Sequence, residues 1–66
     1  MEKDLQLLRD YKKAMLELAQ FGTVSTSLVE VLDKTFFRVS ITIENNKIIA
    51  EHEDQMIAII QLRNQI

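Results

Sequence analysis

The sequence predicts an α+β domain built from a long N-terminal helix, a short second helix, a two-stranded antiparallel hairpin and a C-terminal helix. Three observations predict it. Apolar residues recur at three- and four-residue spacing over residues 2–21. The stretch Arg38 to Glu53 reads symmetrically outward from its middle. The tail from Met56 to Ile66 is apolar over well over half of a helical circumference.

In the first helix, Leu7, Leu8, Tyr11, Ala14, Met15, Leu18 and Phe21 form one apolar stripe. Opposite lie Glu2, Lys3, Gln6, Arg9, Asp10, Lys13, Glu17 and Gln20. Glu2 and Asp4 stand in the first turn, where the helix dipole favours negative charge. Gly22 stands where a left-handed glycine ends a helix. Thr23 to Thr26 then connects to a second helix. Ser27 and Glu30 have the spacing of a capping box, and Leu28, Val31, Leu32 and Phe36 form an inner stripe ending near Phe36.

The hairpin follows. Folded at Asn45-Asn46, the stretch sets Glu44 against Lys47, Ile43 against Ile48, Ile41 against Ala50 and Val39 against His52. Between these, Thr42 faces Ile49, Ser40 faces Glu51 and Arg38 faces Glu53. One face is almost wholly apolar and the other polar apart from Ile49. Each directly opposed pair contributes roughly 0.2–1 kcal/mol to the register. Asn tolerates the positive φ of a type I′ turn. The alternative is an all-α three-helix chain, with residues 38–66 as one long helix. It spreads the apolar residues of 39–50 around the whole cylinder. Asp54 caps the last helix, Gln55 to Ile66.

Sixty-six residues make one small domain, residues 1–66. A chain of this size buries only ~60% of the surface its unfolded form exposes. Small domains usually rely on a disulfide, a metal or a partner. Cysteine is absent and there is one histidine, so neither a disulfide nor a thiolate or histidine zinc cage can form. No cofactor is expected. Hydrophobic residues make up 47% of the chain, and six of the last eleven residues are Met, Ile or Leu. These point to a homodimer or higher oligomer, with Met56, Ile57, Ile59, Ile60, Leu62 and Ile66 as its contact. Phe37, Arg38, Thr42 and Ile49 are the expected surface for another protein.

The net charge is −2 with no basic block, which leaves out the electrostatic footprint of a nucleic-acid binder. No apolar run approaches the ~20 residues of a membrane span, and the charged N-terminus lacks a signal-peptide core. A cytoplasmic protein is expected.

No residue set carries a catalytic pattern. His52 is flanked by Glu51, Glu53 and Asp54, but strand alternation sends Glu51 and Glu53 to the opposite face. A half-buried histidine across from Val39 is expected rather than a metal ligand or base. Ser25, Thr26 and Ser27 lack a nearby base, and Gly22 stands alone without a phosphate-binding motif. Arg9, Lys12 and Lys13 alternate with Asp10 and Glu17, as on a solvated helix face. Of the adjacent Phe36 and Phe37, one is expected in the core and the other at an interface.

The chain therefore reads as a non-enzymatic interaction module, an obligate dimer acting as adaptor or inhibitor, of the kind found among phage and mobile-element regulators. The order of two helices joined by a short turn after Gly22 and followed by a hairpin resembles small phage repressors of the Cro type. That resemblance implies the alternative function, a dimeric helix-turn-helix DNA-binding regulator with the hairpin at the dimer contact. The chain departs from the pattern between Phe36 and the hairpin, where no separate recognition helix fits. In the long-helix alternative, Val39, Ser40, Thr42 and Ile43 open a recognition helix carrying Arg38 and Lys47.

Overall fold

The computed structural model describes the chain from residue 2 to residue 66, and its side chains from residue 4. It is α+β, in the order α1 (Glu2–Phe21), β1 (Thr23–Val31), β2 (Lys34–Ile43), β3 (Asn46–His52) and α2 (Gln55–Asn64). The strands form one antiparallel sheet in the order β1-β2-β3. α2 lies over β2 and β3, while α1 packs beside α2 and touches β1. The two layers give a flat body, 37 × 32 × 14 Å.

The expected second helix is strand β1. Five of the nine residues from Thr23 to Val31 are β-branched, and Ser25 and Ser27 compete for backbone hydrogen bonds, so the segment is a poor helix former. The capping-box spacing of Ser27 and Glu30 is coincidental, and the stripe Leu28, Val31, Leu32 does not become an inner face. Leu32 is 92% exposed in a two-residue turn with Asp33. Both turn residues have positive φ, 49° and 66°, which defines type I′.

The 38–53 hairpin is present, and the long-helix alternative does not occur. Its register differs from expectation. The turn residues are Glu44 and Asn45, with φ 49° and 72°. Ile43 therefore faces Asn46, Ile41 faces Ile48, Val39 faces Ala50 and Phe37 faces His52. A displacement of two residues leaves every side chain on its expected face, so burial does not choose between the registers. The opposed pairs change with it. Arg38 meets Glu51, rather than Glu53, at 2.9 Å, and Ile41 meets Ile48 in mid-strand.

Gly22 also differs. Its φ is not positive, so it is no left-handed cap. Its N–H donates to the Leu18 carbonyl at 3.1 Å. A Cβ there would collide with the Thr42 carbonyl oxygen. Glycine is required because α1 turns into the sheet directly against the β2 backbone.

The core joins Ala14 and Leu18 of α1, Val39, Ile41 and Ala50 of the sheet, and Ala58, Ile59 and Leu62 of α2. The small Ala50 and Ala58 let α2 lie close on the sheet. Tyr11, Met15, Val24, Ile43, Ile48 and Ile60 pack around this centre. Each fully buried Leu or Ile contributes roughly 1.5–3 kcal/mol.

Candidate interaction surfaces

α2 starts in a short relay of side chains. The Asp54 N–H donates to His52 Nδ1 at 2.9 Å, and Asp54 Oδ1 accepts from the Met56 N–H at 2.9 Å. Asp54 is extended (φ −104°, ψ 122°), the conformation of an N-cap. His52 is half-buried, as expected, but stands across from Phe37 rather than Val39. Its Nδ1 lone pair holds the chain as it leaves β3. Glu51 points to the other face and pairs with Arg38. Among the described residues, no group of three or more His, Asp or Glu side chains could hold a metal ion. Ser25, Thr26 and Ser27 lie on β1, separated from His52 by β2.

β3 stops opposite Phe37, but the β1–β2 hairpin continues to Val31 and Lys34. This two-stranded arm leaves an open depression of about 540 Å3 lined by Val31, Phe36, Glu51, His52 and Glu53. Phe36 and Phe37 sit at its root on opposite faces, both half-buried and neither in the core. A second groove, about 470 Å3, runs between the helices along Asp10, Lys13, Ala14 and Glu17 on one side and Ile60, Arg63 and Asn64 on the other. Arg63 closes it with a 2.9 Å ion pair to Glu17 and lies 5.4 Å from the centre of the Phe21 ring. Acidic and basic groups balance here, so the groove carries no concentrated charge.

The residues expected at a dimer contact do not share a surface. Ile59 and Leu62 are fully buried within their own chain and cannot meet a partner. Met56, Ile57 and Ile60 are half-buried, and only Ile66 is exposed. The hydrophobicity of the tail is consumed by packing on the sheet and on α1. Of the expected partner surface, Arg38, Thr42 and Ile49 do lie together on the helix-free face of the sheet, whereas Phe37 points to the helix side.

Sequence reasoning missed a different surface. Leu5, Leu8 and Leu16 are exposed on α1, Leu16 by 69%. They lie on the flank turned away from the groove with α2, because the groove side carries Asp10, Lys13 and Glu17 at helical spacing. α1 has α2 on one side and touches β1, so this flank is the one turned away from α2. On β1 itself, Leu28 is on the helix side of the sheet and still 66% exposed, since neither helix covers it. Among the described residues, the outer edge of β1 is unpaired along its length. The signal is present in part: Leu5, Leu16 and Ala19 widen the apolar stripe beyond Leu8 and Met15, with Lys12 interrupting it.

The helix-turn-helix layout is not formed, because β1 occupies the place of its second helix. Among the described residues, no helix is long and apolar enough to cross a membrane. No protein-family profile, curated protein or solved structure matches the chain.

Proposed function

We infer that this chain is a non-enzymatic protein–protein interaction module that works as a homodimer, in the role of adaptor or inhibitor. One observation carries the reading: the folded chain exposes more surface than a self-sufficient monomer of its mass. A 7.7 kDa globular monomer exposes roughly 4,300 Å2. This chain exposes 5065 Å2. The difference, roughly 700 Å2, is close to the ~800 Å2 that each partner surrenders in a stable interface. The radius of gyration agrees, at 12.2 Å against about 10.8 Å for a compact domain of this length. Exposed large apolar side chains include Leu5, Leu8 and Leu16 on α1 and Leu28, Val31 and Leu32 at the hairpin. Sedimentation velocity tests the reading. A species of twice the chain mass at micromolar concentration is expected, and a monomer persisting to millimolar concentration refutes it.

A further inference from the structure

We propose that two copies join along β1, edge to edge, into one six-stranded antiparallel sheet with the two α1 flanks packed together above the junction. This deepens the homodimer reading and rests on it.

The edge itself is the first ground. Soluble proteins blunt exposed edge strands with lysine, proline, bulges or a covering element. β1 has none of these: Thr23–Val31 holds no Lys and no Pro, and it pairs with β2 without a bulge over nine residues. Its one charge, Glu30, stands next to its end. The second ground is which backbone groups are free. In the Val31–Lys34 turn the Val31 carbonyl accepts from the Lys34 N–H, so this opposed pair is a hydrogen-bonded one. Opposed pairs alternate in an antiparallel ladder. Val29, Ser27, Ser25 and Thr23 therefore bond inward to β2, and Val24, Thr26, Leu28 and Glu30 aim their N–H and C=O groups at the open edge.

Those groups are self-complementary. A two-fold axis normal to the sheet makes the β1 strands antiparallel and keeps all four helices on one face. Overlap along the full strand sets Thr26 opposite Leu28 and Val24 opposite Glu30 of the second copy, with Ser27 opposite itself at the axis. The same operation sets the uncovered Leu28 of each copy beside the junction, on the face that carries the helices, where the exposed Leu5, Leu8 and Leu16 of α1 are free to cover it. The surplus area matches one such interface. A second copy fits this side better than an unrelated peptide, because a single added strand would cover the edge and leave the α1 flank bare.

The absence of cysteine makes the geometry directly readable. A non-hydrogen-bonded opposed pair has Cα atoms about 4.5 Å apart, within disulfide range. Ser27→Cys in the full chain, oxidised with copper–phenanthroline without denaturant, should form a covalent dimer, whereas Asn64→Cys on the far side should not. Thr26→Pro removes a donor that faces only the edge, so the chain's own ladder stays intact. It should weaken dimerisation roughly 30-fold or more, from two hydrogen bonds lost per dimer, with the circular dichroism spectrum retained. A dimer in which Ser27→Cys links no faster than Asn64→Cys overturns the edge arrangement and leaves the homodimer reading standing. A monomeric wild-type chain overturns both. If Thr26→Pro unfolds, the Ser27→Cys result decides alone.

Discussion

Two single residues fix backbone geometry, for different reasons. Gly22 is needed for space, not for a left-handed φ, because any Cβ would collide with the Thr42 carbonyl. Asn is the usual replacement for a left-handed cap glycine. It gains nothing at Gly22, so Gly22→Asn and Gly22→Ala should both destabilise by about 1–3 kcal/mol. In thermal melts that is a fall of several degrees for each, whereas a left-handed cap would show Asn tolerated and Ala not. Asn45 is the opposite case, with φ 72° in open solvent. Asn45→Gly relieves left-handed strain and should raise stability by about 0.5–1 kcal/mol. Asn46 is already the first residue of β3, so Asn46→Gly should lower stability by a similar amount. The two melts together identify which residues form the turn. If Asn46→Gly is the stabilising change, the turn lies at Asn45-Asn46 and Ile43 faces Ile48 instead of Asn46.

At the scale of elements, α2 depends on its entry. Nothing acidic stands in its first turn, and Asp54 is its one side-chain cap. Asp54→Ala should cost about 0.5–2 kcal/mol. Asp54→Asn or Asp54→Ser should recover most of it in urea titrations, since the Met56 N–H needs only an acceptor oxygen. Equal losses for all three would assign the role to charge instead. This cap is legible in the sequence, as are α1, the faces of the β2–β3 hairpin and α2, because each rests on local periodicity or a short-range signal. β1 is not legible. Leu28, Val31 and Leu32 have a helical spacing, whereas in the strand Leu28 and Val31 fall on opposite faces and Leu32 lies in the turn; what decides is the β-branched content of Thr23–Val31 and its pairing with Lys34–Thr42, a tertiary fact. The hairpin register is half legible. Alternation settles faces but is blind to a two-residue displacement, and what distinguishes the observed register is the turn at Glu44-Asn45, both at positive φ. The candidate interface is hidden for a related reason. Apolar content locates what must be covered, while the fold decides whether the cover is internal, as for Ile59 and Leu62, or external, as for Leu16.

For the whole molecule, the sheet is asymmetric in its protection. Among the described residues both outer strands have an unpaired edge, but α2 covers the face of β2 and β3, whereas Leu28 of β1 and Leu5, Leu8 and Leu16 of α1 are left exposed. Folding and association should then be linked, since a partner that binds only the folded chain stabilises it by mass action. If two chains of this length unfold together from a dimer, the melting temperature should rise by about 5 °C for each tenfold increase in protein concentration. Calorimetry across a hundredfold range of micromolar concentrations measures this directly. The slope should vanish in oxidised Ser27→Cys, where the partner is covalently attached and unfolding becomes unimolecular, and its melting temperature should exceed that of wild type at the dilute end. A concentration-independent melt in the uncrosslinked chain would mean that the 66 residues hold themselves together despite the surplus surface. The exposed leucines of α1 would then need a different kind of partner.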